Sequence, residues 1–524
     1  MGTETGTPDA FQSPELPGKA ASFWIASAPG DGFPRLDSDV SVDVAVVGAG
    51  ITGLTAATLL KRAGKTVAVL ESKEIVRGTT GYTTAKVTAG HRLVYQDVRK
   101  IFGEEGARLY AESQQAALER VAELVADLEI DCDFRRDSHY VYAESRDDVE
   151  NVEREVEIEQ QLGLPATYVE ETSLPFPVAG ALRLDNQAQF HPRKYLLPLA
   201  EALPGNGSHV FEKTRVLDVE EGQQRCIVQT DRGQVTAGDV IVASSLPILD
   251  RGLFFGKAHP YRSYTLAAPI AAEQAPEWMF INSGGSTRSI RTARDGERLV
   301  LLVNGNGHKT GEEPHNQNRY LQLQEFMRSR LGLDEIAYRW STHDYYTLDH
   351  VPYIGRLRRR SRHLYVATGF NGWGMTGGTL AAMILGDLVL GNDNPWAQLY
   401  DAKRLKVRGA ASMFVKENAK LARHWVGDRV ARTDAPAIDA VAPGEGAIVS
   451  LHGERIAVYR DEANTLHTLS PVCTHLACYV SWNRADKSWD CPCHGSRFTG
   501  EGVVTQGPAV RDLPRVDVAR LQKT

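Results

Sequence analysis

Val42-Asp-Val-Ala-Val-Val47 alternates polar with apolar positions and then runs apolar, the pattern of a strand that becomes buried on both faces of a parallel sheet. Gly48-Ala-Gly50-Ile-Thr-Gly53 follows directly, Leu54 to Ala63 has helical periodicity, and Lys65-Thr-Val-Ala-Val-Leu70 is a second strand closed by Glu71. Farther on, Tyr95 to Ala126 and Asp147 to Leu162 predict long helices, with strands at Cys132-Asp-Phe-Arg and Tyr140-Val-Tyr-Ala-Glu between them. Phe190-His-Pro-Arg-Lys-Tyr195 opens another helix. Val210 to Val219, Arg225 to Thr230 and Asp239 to Ser245 return to the first sheet, and Tyr261 to Leu302 returns to the second. A late strand, Leu364 to Gly369, enters the glycine-rich run Phe370 to Gly378, and Thr379 to Leu390 reads as a helix. Ala397 to Val426 is mostly helical in pattern, and Ile438 to Val518 is a run of short strands. The predicted class is α/β: a Rossmann-type domain interleaved with an antiparallel-sheet substrate domain, then a small all-β domain.

Composition adds bounds. A chain of 524 residues is too long for one core, so two or more domains are expected. A net charge of −7 gives no reason to expect nucleic acid as a partner. No apolar run is long enough to span a bilayer, and residues 1 to 22 lack a signal-peptide pattern, so a cytoplasmic location is expected. Residues 1–38, rich in Gly, Pro, Ser and Thr, read as a poorly ordered leader whose end Trp24 anchors.

Four of the six cysteines fall near the C-terminus. Cys473-Thr-His475 is followed by Cys491-Pro-Cys-His494, the C-x-H…C-x-x-H order of a Rieske [2Fe–2S] cluster, in which thiolates hold one iron and imidazoles the other. Zinc is the competing reading of two Cys and two His, but zinc fingers pair Cys with Cys and His with His along the chain. The flanking residues, Cys473-Thr-His-Leu-Ala-Cys478 and Cys491-Pro-Cys-His-Gly-Ser496, resemble the Rieske proteins of respiratory and photosynthetic complexes. That resemblance implies a disulfide between Cys478 and Cys493, a hydrogen bond from Ser496 to a cluster sulfur, and Gly507-Pro508-Ala509 covering the cluster's third side. Phe498 stands where high-potential members have a tyrosine, so one donor is missing and a lower potential is expected.

In the first unit, Gly48 permits the tight turn, Gly50 close approach of backbone to a pyrophosphate, and Gly53 helix-on-strand packing. Amides at the helix start, around Ile51 and Thr52, face the phosphates, and Glu71 faces ribose. The motif alone leaves FAD and NAD open. The hydroxyl-rich Gly78-Thr-Thr-Gly-Tyr-Thr-Thr-Ala-Lys-Val-Thr88, the run Phe370-Asn-Gly-Trp-Gly-Met-Thr-Gly-Gly378 and Asp349-His-Val-Pro-Tyr-Ile-Gly355 resemble the glycine oxidase and D-amino-acid oxidase family of flavoproteins. Over nearly the whole chain after the leader, the likeness is to FAD-dependent oxidoreductases of that superfamily carrying a C-terminal Rieske domain. It implies an FAD oxidoreductase domain over 39–400, a helical bridge over 401–437 and the Rieske domain over 438–524. It also implies FAD contacts at Thr79, Thr80, Thr84, Ala85, Val216, Gly369, Gly372, Trp373, Gly374, Met375 and Thr376. Tyr82 departs from an expected arginine. Gly305-Asn-Gly307-His-Lys-Thr-Gly311 has the wrong spacing for a nicotinamide site and reads as a flavin-facing loop.

The superfamily implies hydride removal from a carbon bearing an amine, so the expected substrate is a small amine or amino acid. Candidates over the flavin are Lys86, Arg291, His308 and Tyr346, with His191, Lys309 and Asp344 behind them. Arg291 is the expected carboxylate anchor because its planar fork pairs two oxygens, with a surface ion pair as the alternative. His191 before Pro192 reads as structural. A one-electron cluster in the same chain suggests that FAD gives its electrons singly to an external carrier such as a ferredoxin or quinone. The reverse flow, for a reduction or flavin oxygenation, and a non-catalytic redox-sensing role stay open.

Overall fold

The computed structural model describes residues 15–404 and 437–518. The predicted first unit is present: strand Val40–Val47, helix Ile51–Arg62 and strand Val67–Leu70. Nine of the helix's residues are buried, because it lies between the sheet and the helix Gly374–Leu390. A Cβ on Gly53 would stand 1.9 Å from the carbonyl oxygen of Gly48, so only glycine allows this helix to start so close to its strand.

The nucleotide-binding sheet runs Tyr353–Arg356, Leu364–Thr368, Gln234–Val242, Val40–Val47, Val67–Leu70, His209–Phe211, with Val216–Glu221 and Cys226–Thr230 attached beside Gln234–Val242. The four pairings from Leu364–Thr368 to His209–Phe211 are parallel. A ten-stranded sheet forms the second layer, mostly antiparallel, with Ala258–Ile270, Arg298–Lys309 and Tyr338–Thr347 side by side at one end. The chain passes repeatedly between the two sheets, as the alternation of patterns predicts. The cluster module has a three-stranded and a four-stranded antiparallel sheet, Glu445–Leu469 and Ser481–Gln506.

Three expectations need correction or restriction. From residue 15 onward the expected leader is ordered: Lys19–Ala20 pairs with Tyr338 and Arg339, and Phe23–Ser27 is a helix with Phe23 and Trp24 buried. Burying a side chain of that size contributes roughly 1.5–3 kcal/mol, against about 1–2 kcal/mol for each backbone residue ordered. Trp24 Nε1 also donates to the Thr83 carbonyl at 2.7 Å. Gly305 to Gly307 belongs to the strand Arg298–Lys309 rather than a loop, because the backbone ladder with Ala258–Ile270 continues past it, through a bulge, to Lys309. Of the helical pattern Ala397 to Val426, Ala397–Tyr400 is a short helix; 405–436, most of the expected bridge, lies outside the described residues.

Candidate active site and cluster site

A cavity of about 550 Å³ opens at the C-terminal ends of the parallel strands, where open α/β sheets bind ligands. Gly48, Gly50, Ile51, Thr52, Glu71, Thr79, Thr80, Thr84, Val216, Gly372, Trp373, Gly374 and Met375 line it. The turn after Val47 and the start of the late helix thus converge from opposite ends of the sequence. Trp373 stacks on His91, 4.8 Å between ring centres. Glu71 receives the backbone N–H of Ala49 at 3.1 Å, which closes the glycine turn onto the second strand.

Gly53, Ala85, Gly369 and Thr376 do not line the cavity; they stand behind its wall. Gly53 is at the helix–strand contact. The Ala85 carbonyl accepts from Arg291, and Thr376 Oγ1 is tied to the backbone of Thr88. Gly369 packs on Thr347, where a Cβ would come within 2.3 Å of its methyl.

The four catalytic candidates separate. Arg291 is buried, and its guanidinium donates to the carbonyls of Thr84, Ala85, Phe190 and Thr292. Burial pulls it down to about 9. It fastens the hydroxyl-rich loop and does not reach the cavity, which corrects its reading as substrate anchor. Lys86 is likewise buried, with Nζ on the Phe280 carbonyl at 2.5 Å; burial and the neighbouring Arg291 hold it well below the ordinary lysine range. His308 bridges Tyr264 and the carbonyl of Lys309 with its two ring nitrogens, and Lys309 approaches Glu312 at 3.8 Å. None of these three lines the cavity. His191 is structural, as read: it caps the helix Pro192–Glu201 and meets Ser27.

Tyr346 does line the cavity, beside Tyr261 at 4.9 Å between ring centres. Asp344 lines it too, with its carboxylate receiving the N–H of Tyr345 and of Gly372, both at 2.7 Å. Burial outweighs those bonds and pushes the Asp344 carboxyl up to about 6. Arg92 was not a candidate. It lines the cavity near Tyr261 and Tyr346, with Nε on the Asn282 carbonyl at 2.9 Å and Nη2 on that of Gly284 at 3.3 Å. No periodicity marks it; its only sequence signal is a cation in the loop after the threonine-rich run.

At the C-terminus Cys473, His475, Cys491 and His494 come together on two facing loops. The imidazoles of His475 and His494 are 4.9 Å apart and nearly perpendicular. The two thiols share a hydrogen bond, which draws Cys473 down to about 7 and pushes Cys491 up. Cys478 and Cys493 are joined in a disulfide that ties the loops together. The sulfurs of Cys478, Cys491 and Cys493 crowd within 4.8 Å, but a disulfide leaves only Cys491 of these as a thiolate ligand. Ser496 is buried, in hydrogen-bond contact with Cys473, and its Oγ accepts the Ala509 N–H at 3.0 Å. Two thiols and two imidazoles on disulfide-linked loops fit the [2Fe–2S] donor set. The cavity fits a dinucleotide equally: a Cβ at Gly50 would stand 2.9 Å from Thr80 Oγ1 and fill the approach to the helix N-terminus.

The two sites adjoin. Val504, Thr505, Gln506, Gly507, Ala509 and Val510 of the cluster module line the same cavity as the glycine turn. The loop that runs behind the cluster ligands is therefore also a wall of the flavin site. It was legible as a cluster cover and illegible as a cavity wall, because nothing local records what packs on its other side.

Such a fold and paired sites define a flavoprotein oxidoreductase with an iron–sulfur module. The family model for FAD dependent oxidoreductases (DAO) matches residues 43–388 and that for the Rieske [2Fe-2S] domain matches 433–517. The chain belongs to the FAD dependent oxidoreductase family and carries a C-terminal Rieske domain; FAD and a [2Fe–2S] cluster are its cofactors. It is similar along its length to YhfW of Bacillus subtilis (strain 168), named for a Rieske 2Fe-2S iron-sulfur protein: 35% identity over 499 residues, 95% of this chain and 97% of that one. Gamma-glutamylputrescine oxidoreductase of Escherichia coli (strain K12) is 26% identical over 396 residues, 73% of this chain and 91% of its own length. The solved glycine oxidase of Geobacillus kaustophilus shares the fold with a TM-score of 0.58 at 19% identity, covering 70% of this chain and 99% of that one. Among the described residues no helix is long and apolar enough to cross a membrane.

Proposed function

We propose that the protein oxidises a C–N bond of a small amine or amino acid and passes the electrons from FAD through the cluster to an external carrier, a ferredoxin, quinone or similar. The observation that carries this reading is the shared cavity: one chain places residues 504–507, Ala509 and Val510 of the Rieske module in the wall of its flavin site. A pair of redox groups so placed within one chain exchanges electrons without a partner protein. The relatives named for gamma-glutamylputrescine and glycine support a nitrogen-bearing substrate.

In this reading the amides after Gly48 and Gly50 hold the pyrophosphate at the positive end of the helix Ile51–Arg62. Thr79, Thr80 and Thr84 would hold the ribityl chain, Val216 the adenine end, and Gly372 to Met375 the ring. Bound FAD would supply the hydride acceptor, while the protein orients the substrate and sets the electrostatics. Arg92, between the two backbone carbonyls, presents its guanidinium beside Tyr261 and Tyr346 and takes the place first assigned to Arg291. Cys473 and Cys491 would hold one iron and His475 and His494 the other. A cluster that carries one electron at a time suits a one-electron carrier better than direct transfer to oxygen.

An anaerobic redox titration, followed by visible and electron-paramagnetic spectra, tests this, together with a panel of amines and amino acids. A substrate that bleaches the flavin and then raises the Rieske signal is the expected result. Flavin reduction that never reaches the cluster overturns it.

A further inference from the structure

The strand Tyr338–Thr347 lies between the flavin cavity and the loop of the cluster module that carries His494, and its side chains alternate between them. Thr342, Asp344 and Tyr346 line the cavity. Ser341, His343 and Tyr345 face the other way. Ser341 Oγ donates to Asp486 at 2.6 Å. His343 lies so close to Gly495 that a Cβ there would come within 2.4 Å of its ring. The hydroxyl of Tyr345 donates to the carbonyl of His494, an iron-ligand residue, at 2.8 Å.

Tyr345 is also fastened on the flavin side. Its carbonyl accepts the N–H of Asn371 at 3.1 Å and its N–H goes to Asp344; Asp344 in turn holds the N–H of Gly372. Asn371, Gly372 and Asp344 all face the cavity. An unbroken chain of covalent and hydrogen bonds therefore runs from the cavity wall through one buried aromatic side chain to a cluster ligand. Electronic coupling falls far more slowly along bonds and hydrogen bonds than across van der Waals gaps, so such a chain is the preferred tunnelling route.

We propose that Tyr345 is the electron bridge between the flavin and the cluster, through its hydroxyl on the His494 carbonyl. In each transfer one electron leaves the reduced flavin and one ferric iron becomes ferrous; no atom moves, and the phenol is neither oxidised nor deprotonated. The inference rests on the reading that flavin and cluster exchange electrons within one chain.

The test compares the holoenzyme with Y345F, which keeps the ring and loses only the hydroxyl. Both are checked for equal FAD and iron content, the flavin is reduced by a light pulse without air, and cluster reduction is followed by absorbance. The expected result is a wild-type rate independent of protein concentration and a several-fold slower rate in Y345F, with the midpoint potentials of both cofactors unchanged. An equal rate in Y345F overturns the bridge and leaves the proposed function standing. A slower rate that tracks a shifted cluster potential also overturns it, because the hydroxyl then tunes the cluster rather than conducts. A wild-type cluster that is reduced only in proportion to protein concentration overturns the proposed function itself.

Discussion

Arg262 of the flavin domain and Asp486 of the cluster module form an ion pair at 2.6 Å in which the guanidinium is wholly buried. Asp490 lies 3.6 Å from the same guanidinium, and Arg497 pairs with both carboxylates from within the module. The two arginines hold Asp490 below the ordinary carboxylate range despite its burial. A buried pair of this kind adds little over an apolar contact, yet breaking it by removing one partner costs about 3–5 kcal/mol. R262M should therefore loosen the module from the flavin domain. On heating, loss of cluster absorbance should precede flavin release; coincident transitions at the wild-type temperature would count against the pair as the clamp.

The cluster ligands predict a clean separation of cofactors. C491S should abolish the Rieske paramagnetic signal and the bound iron, since the Cys491 thiolate is the proposed ligand, while the flavin spectrum stays. Elemental analysis and visible spectra check both halves. A retained Rieske signal in C491S would remove Cys491 from the ligand set.

Gly50→Val tests the flavin site. Its side chain would enter the space before Thr80 Oγ1, already within 2.9 Å of a Cβ. FAD affinity should fall at least tenfold, about 1.4 kcal/mol, in a protein that still folds and still takes up iron. Titration of the deflavinated protein with FAD measures it; an affinity equal to wild type would place the cofactor elsewhere.

The disulfide between Cys478 and Cys493 closes a loop with a sequence separation of 15. Linking a loop of that size stabilises by about 3 kcal/mol on the chain-entropy view. C478A/C493A should lower the denaturant midpoint of the cluster module and leave that of the flavin domain in place, read separately by cluster absorbance and flavin fluorescence.

Glu155 supplies a pH dependence away from both cofactors. Its carboxylate receives the N–H groups of Tyr95 and Gln96 at the start of the helix Val94–Asp127, and burial pushes it up to about 7 from an unfolded value of 4.5. The folded protein thus holds a proton that the unfolded chain releases. This contribution to stability is largest below pH 4.5 and is lost as pH rises through 7. E155Q should flatten the fall of melting temperature across that window; an unchanged slope would assign it to another group.

The strand, glycine turn, helix and acid from Val42 to Glu71 were legible because each is a local pattern: period two, small residues at a turn, period near 3.6. The same holds for Cys473 to Ser496, where ligand type and spacing carry the chemistry. The sequence by itself therefore determined the fold class and both cofactors. Only the tertiary structure decided that Arg291 and Lys86 turn onto backbone carbonyls, that Arg92 faces the cavity, and that the leader's aromatic residues join the core. It alone decided that Tyr345 meets His494 across 149 residues of chain. Periodicity tells which face of an element is covered; which distant residue covers it depends on how the sheets pack, and no local pattern encodes that.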